Sequence, residues 1–170
     1  MQKAVYWLAT ARKEGEKPAK VLSRAVVLAG YKKTAAKLTK DALLRNLDIA
    51  EKLGCLDDAG LAAMRRGNAA TVRKGPYKGD ELSVDHIVPR AVVPELDNVI
   101  ANLELMPLRM NESKNAKIGD RQRDMAKKLY QAELVRLRPK TTERANWTVA
   151  AIVGIGTLFR QFRGENKRQQ

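Results

Sequence analysis

Asp85-His86-Ile87-Val88-Pro89, Asn102-Leu103-Glu104-Leu105 and Asn111-Glu112-Ser113-Lys114 are three segments of one stretch, and the fold turns on how they are read. Leu82 to Ile87 alternates as a short strand, with Leu82, Val84 and His86 on one face. Pro89 ends it, and Val92 to Asn98 reads as a loop. Leu103 to Met106 is a second strand. Pro107 suits the first turn of a following helix, where its missing N–H does no harm. The order is strand, loop, strand, helix.

Outward from this stretch the pattern is helical. Gln2 to Lys13 carries Val5, Leu8 and Ala9 at helical spacing. Glu14 to Pro18 breaks it, and Val21 to Ala29 is a second apolar run closed by Gly30. Thr39 reads as the N-cap of the clearest helix, whose apolar face is Leu43, Leu44, Leu47, Ala50 and Leu53, with Gly54 as its stop. Asp57 caps a shorter helix ending near Gly67. Lys74 to Gly79 is a turn-rich boundary. Beyond the stretch, Asp120 to Leu134 is a basic helix, Arg136 to Lys140 a linker, and Thr142 the cap of a last helix. Residues 146–159 have no charge. They are too few to span a bilayer, which needs about 20 apolar residues, and read as packing on the N-terminal helices rather than as a peripheral membrane contact. The expected class is α+β, mainly helical. The expected division is a helical region over 1–72, a central unit over 73–135, and a C-terminal helix with a polar tail over 136–170.

Charge narrows the partner. The 170 residues carry a formal net charge of +14 with an ordinary apolar fraction of 44%. The excess is distributed: residues 1–70 hold 14 basic against 7 acidic side chains, residues 71–140 hold 14 against 10, and residues 141–170 hold 5 against 2. A positive field of this breadth suits a polyanion. Cys55 is the only cysteine, so neither a disulfide framework nor a cysteine zinc site is possible within the chain. That usage, with no secretory pattern at the N-terminus, points to the cytoplasm.

The chemistry-bearing residues gather around the single histidine. Phosphodiester hydrolysis needs a base for water, neutralisation of the non-bridging oxygens, and stabilisation of the leaving oxygen. Mg²⁺ takes hard oxygen donors and keeps several waters, so one carboxylate and one amide carbonyl suffice. Asp85 and Asn111 supply that pair. His86 suits the base because its ordinary pKa lies near neutrality. Asp85 and His86 leave the strand on opposite sides, so a bend at Val88-Pro89 or the incoming phosphate must unite them. A neutral imidazole needs its other nitrogen held, usually by a carbonyl, and Asn102 is placed to brace that arrangement. Asn98 competes with Asn102, although the Asn-Leu pair before an apolar strand favours Asn102. Asn115 competes with Asn111 one helical turn later. Tyr77 is a core residue or a stacking one.

These residues resemble the HNH nuclease motif in its His-Asn-Asn variant. Asp85-His86-Ile87-Val88-Pro89 matches the Asp-His-Ile-x-Pro pattern, Asn102-Leu103 the Asn-Leu pair, Asn111 follows Asn102 by nine residues, and Lys114 follows by three more. The run is similar to free-standing HNH nucleases and to the HNH domain of CRISPR effector nucleases, over about residues 77–117. The resemblance implies a ββα-metal core with a two-stranded antiparallel hairpin, dependence on Mg²⁺ or Mn²⁺, and cleavage of DNA. By position it implies that His86 is the general base, Asp85 and Asn111 are metal ligands, Asn102 orients the base and Lys114 contacts phosphate. Arg109, beside Asn111, is a further phosphate candidate. Lys117 and Arg121 belong to a basic run that either tracks the backbone or is a solvated face. Many members carry two CxxC pairs for a structural zinc. Here Pro107 and Met110 stand near the corresponding places, so no zinc is expected and the flanking helices must supply rigidity. An isolated site of this kind makes one cut; a dimer could cut both strands. The free-standing size suits a phage or mobile element. The alternatives are a toxin-like or defence nuclease with relaxed DNA or RNA specificity, and a catalytically silent nucleic-acid-binding protein that keeps the fold.

Overall fold

The computed structural model describes residues 1–114 and 118–134. The linker, the last helix and the apolar run 146–159 lie outside the described residues, as do Asn115 and Lys117. Four helices come first: α1 (Gln2–Lys13), α2 (Pro18–Leu28), α3 (Lys33–Lys52) and α4 (Asp58–Arg66). Strands β1 (Leu82–His86) and β2 (Leu103–Pro107) form an antiparallel pair, followed by α5 (Leu108–Ser113) and α6 (Asp120–Gln131). The chain is thus mainly helical with one two-stranded sheet, and the strand–loop–strand–helix order of the central stretch is as expected.

Local chemistry accounts for the helix ends. Pro18 opens α2, where its missing N–H is no loss. Asp57 caps α4 by accepting from the Gly60 amide at 2.7 Å, and Gly67 ends it in the left-handed region at φ 91°. Thr39 is a correction. It does not cap α3, which begins six residues earlier at Lys33. Ala35, Ala36, Lys37 and Leu38 are good helix formers and nothing stops the helix before Thr39. Thr39 is buried instead and shares a hydrogen bond with Tyr31.

Two apolar clusters hold these pieces together. The larger joins Val5 and Leu8 of α1, Leu22 of α2, Leu43 and Leu47 of α3, and Met64 of α4 to Leu82 and Leu105 of the hairpin. The hairpin is therefore roofed by the N-terminal helices. Cys55 lies in this cluster, where burial, helped by Asp57, pushes its thiol up to about 11. The smaller cluster, Val88, Leu96, Ala101 and Leu129, fastens the loop between the strands to α6.

Both edges of the hairpin are covered. Asn46 of α3 is fully buried; its Oδ1 accepts from the Leu105 amide at 2.6 Å and its Nδ2 donates to the Leu103 carbonyl at 2.9 Å. An amide in a helix thereby takes the place of a third strand along β2. On the far edge the Leu82 amide donates to the Ala70 carbonyl, and Gln2 Nε2 donates to the Leu82 carbonyl at 2.6 Å. No helix among the described residues is long and apolar enough to cross a membrane.

Candidate functional site

Strand alternation sorts the site. Leu82 and Val84 point into the larger cluster, so Ser83 and Asp85 emerge on the other face, beneath α5. Asn111 of α5 donates its Nδ2 to Ser83 Oγ at 3.2 Å, and Ser83 Oγ in turn donates to the Met106 carbonyl at 3.0 Å. Lys114, just past the end of α5, donates to Asp85 Oδ2 and to the His86 carbonyl, the latter at 3.3 Å. Asp85, Asn111 and Lys114 are thus brought together on one face of the strand–strand–helix unit. With its NH₂ committed to Ser83, the carbonyl oxygen is the atom the Asn111 amide could offer a cation. One carboxylate and one amide carbonyl are oxygen donors of the kind Mg²⁺ or Mn²⁺ takes.

His86 stands at the end of the opposite face. Its Nε2 lies 2.9 Å from the Asp97 carbonyl oxygen and 3.3 Å from Asp97 Oδ1. A carbonyl only accepts, so Nε2 carries the proton in the neutral ring and Nδ1 is left as the basic nitrogen. The side chain is 26% exposed, enough for water to reach it. Arg90 approaches Asp97 Oδ1 from outside at 3.7 Å. The chain bends at Ile87 and Val88, directly after His86.

Asn102 makes no hydrogen bond to the imidazole. It ends a short 3-10 turn, Ile100–Asn102, one residue before β2 rather than within it. Fully buried, it accepts from the Val88 amide at 2.8 Å and donates to the Val88 carbonyl at 3.0 Å, with a longer contact to the Leu96 carbonyl. Its own carbonyl accepts from Ile87 at 2.8 Å. It therefore clamps the two residues after His86 and the loop that presents Asp97. The direct partner that sequence reading left unnamed is Asp97, a backbone carbonyl in a loop, which leaves no compositional mark.

Glu104 is the other residue that was missed as part of the site. It pairs directly opposite Asp85 across the hairpin, so the two carboxylates share a face, an arrangement that is repulsive unless each is matched. Lys114 matches Asp85. Arg121 of α6 donates through Nη2 to both carboxylate oxygens of Glu104, at 2.6 and 2.8 Å. Arg45 of α3 adds an ion pair at 3.1 Å whose N–H is not aimed for a hydrogen bond. Burial pulls the Arg45 guanidinium below its usual range, and Glu104 opposes that shift. The signal available in sequence was one acid inside the apolar run Leu103 to Met106, in register with Asp85. Arg121, read as a phosphate contact, has Glu104 as its partner. Arg109 is held by Asp80 (backbone amide 3.0 Å, Nε 3.4 Å) and lies over the Tyr77 ring at 5.8 Å from its centre. Its side chain remains 60% exposed.

Comparison of the chain with protein-family models, with curated proteins and with solved structures finds no match. The case for a function rests on the geometry of these residues and on the motif spacing.

Proposed function

We propose that this chain is a metal-dependent endonuclease of the HNH type, with a ββα-metal core, that hydrolyses phosphodiester bonds in DNA. The observation that carries this reading is the histidine with Nε2 fixed by a backbone carbonyl and Nδ1 left basic, one residue from a carboxylate that shares its face with the Asn111 amide. His86 Nδ1 takes the proton of the attacking water as its oxygen bonds to phosphorus, and the bond from phosphorus to the leaving sugar oxygen breaks. Asp97 holds the ring in the required tautomer through its carbonyl, and Asn102 holds the loop that presents it. Asp85 and Asn111 would hold Mg²⁺ or Mn²⁺, which supplies charge neutralisation at the phosphoryl and leaving oxygens. Lys114 and Arg109 would contact backbone phosphates, with the broad positive charge drawing in the polyanion. A single site of this kind makes one cut, so a monomer nicks duplex DNA.

The test is supercoiled plasmid incubated with the protein in Mg²⁺, in EDTA, and with His86→Ala in Mg²⁺. Nicked circles are expected in the first arm only, with His86→Ala slower by about 10²- to 10⁴-fold, the usual contribution of a general base. Equal cleavage in all three arms would remove the metal-nuclease reading. DNA retention without cleavage in any arm would leave a silent nucleic-acid-binding module.

A further inference from the structure

The site already contains a cation, and it belongs to the chain. Lys114 donates its ammonium to Asp85 Oδ2 and reaches the His86 carbonyl at 3.3 Å. The pair is largely enclosed, with side-chain exposures of 25% for Lys114 and 15% for Asp85. A carboxylate so enclosed needs a countercharge, and Lys114 is its one ion-pair partner among the described residues. No help comes across the hairpin. The nearest carboxylate in register, Glu104, has its own two guanidiniums, and these face Glu104 rather than Asp85.

We propose that Lys114 is a built-in countercharge of Asp85 that leaves the carboxylate when a divalent cation is bound, and that the released ammonium then meets the substrate phosphate. This rests on the nuclease reading above. The two roles exclude each other in time. An ammonium in contact with Asp85 Oδ2 takes one of the two oxygens the carboxylate can offer a metal, and an ammonium and a dication at one carboxylate repel. Lys114 is free to move because it lies past the last turn of α5, with an extended backbone (φ −76°, ψ 104°), so no helical turn unwinds when its side chain swings. Lys114 thus balances the charge of Asp85 before metal binds and weakens metal binding in the absence of DNA. Phosphate gives the released ammonium a new partner, so binding of metal and of DNA favour each other.

The experiment titrates Mn²⁺ by calorimetry into the full-length protein and into Lys114→Met, Lys114→Gln and Lys114→Arg, all without DNA. Plasmid cleavage in Mg²⁺ is measured alongside, with circular dichroism to verify folding. Met and Gln are expected to bind Mn²⁺ about tenfold more tightly, the scale of one charge-assisted hydrogen bond to a carboxylate, yet to cleave more slowly. Arg is expected to bind Mn²⁺ no more tightly than the parent. Tighter metal with slower cleavage is the opposite of a folding defect, which lowers both. Unchanged or weaker Mn²⁺ binding in Met and Gln, with a parent that binds and cleaves, overturns the exchange and leaves the nuclease reading standing. Absence of both Mn²⁺ binding and cleavage in the parent removes that reading and the exchange with it.

Discussion

Two buried asparagines hold the hairpin, Asn46 at the free edge of β2 and Asn102 at the loop end, and they do different things with the same group. Asn46 reaches from α3 to the free edge of β2, closing on Leu105 and Leu103. Asn102 reaches from the turn before β2 to Val88, closing on both polar groups of one peptide residue. Each amide satisfies one backbone donor and one backbone acceptor in the interior. Asn46 belongs to the larger apolar cluster's side and ties the sheet to the helical frame. Asn102 belongs to the side of the small cluster around Val88, Leu96, Ala101 and Leu129, and ties down the loop that faces His86. One chemical device thus fastens the frame in one place and the loop beside His86 in the other.

The largest effect is expected at the scaffold. Asn46→Ala orphans the Leu105 amide in the interior and leaves the Leu103 carbonyl with only the longer contact from Arg45 at 3.4 Å, which should cost about 2–4 kcal/mol of stability, from about 1–3 per group orphaned or weakened. Urea unfolding reads this directly, and a loss below about 1 kcal/mol would show that the edge of β2 is not held in this way. Asn102→Ala should cost less in global stability, about 1–3 kcal/mol, because the loop can open locally. Its cleavage, measured well below the unfolding temperature, should nevertheless fall. Normal cleavage in a folded Asn102→Ala protein would dissolve the distinction between the two asparagines. Arg121→Met removes the aligned partner of Glu104 but leaves Arg45. With the Arg121 side chain 58% exposed, the expected loss is about 1 kcal/mol or less. Its nonspecific DNA affinity should change little, against a clear loss for Arg109→Ala; a steep loss in Arg121→Met would mean that the guanidinium serves phosphate after all. The smallest effect concerns Cys55. Its thiol is raised to about 11 by burial and Asp57, so almost no thiolate exists at pH 8. Alkylation there should be slow in the native protein and fast after denaturation, and rapid native labelling would show that the scaffold opens where it is read as closed.

Much of the fold is legible from the chain. Apolar spacing places α1 and α2 and the body of α3. Gly30, Gly54 and Gly67 mark three helix ends, and the alternation from Leu82 onward marks β1. Thr39 shows where such reading stops. A threonine can cap a helix or sit inside one, and here the run of helix formers before it and its hydrogen bond with Tyr31 decide. The site follows the same division. Asp85, Asn111 and Lys114 lie on one face, Lys114 on Asp85 and Asn111 on Ser83, because a tight strand–strand–helix unit leaves them that face to share. Asp97 and Glu104 were not legible as partners: the first acts chiefly through a backbone carbonyl, the second through a cross-strand register that is not set locally.

Taken alone, the sequence determines a basic, mainly helical chain with a strand–loop–strand–helix centre and a one-histidine motif at fixed spacing, since periodicity, caps and motif intervals are local properties. The tertiary structure alone decides which nitrogen of His86 is held, that Asn102 works through the loop rather than on the ring, that Asn46 closes the sheet edge, and that Lys114 sits on Asp85. Each of these is a contact between residues distant in the chain, made by burial and hydrogen-bond satisfaction rather than by any local preference.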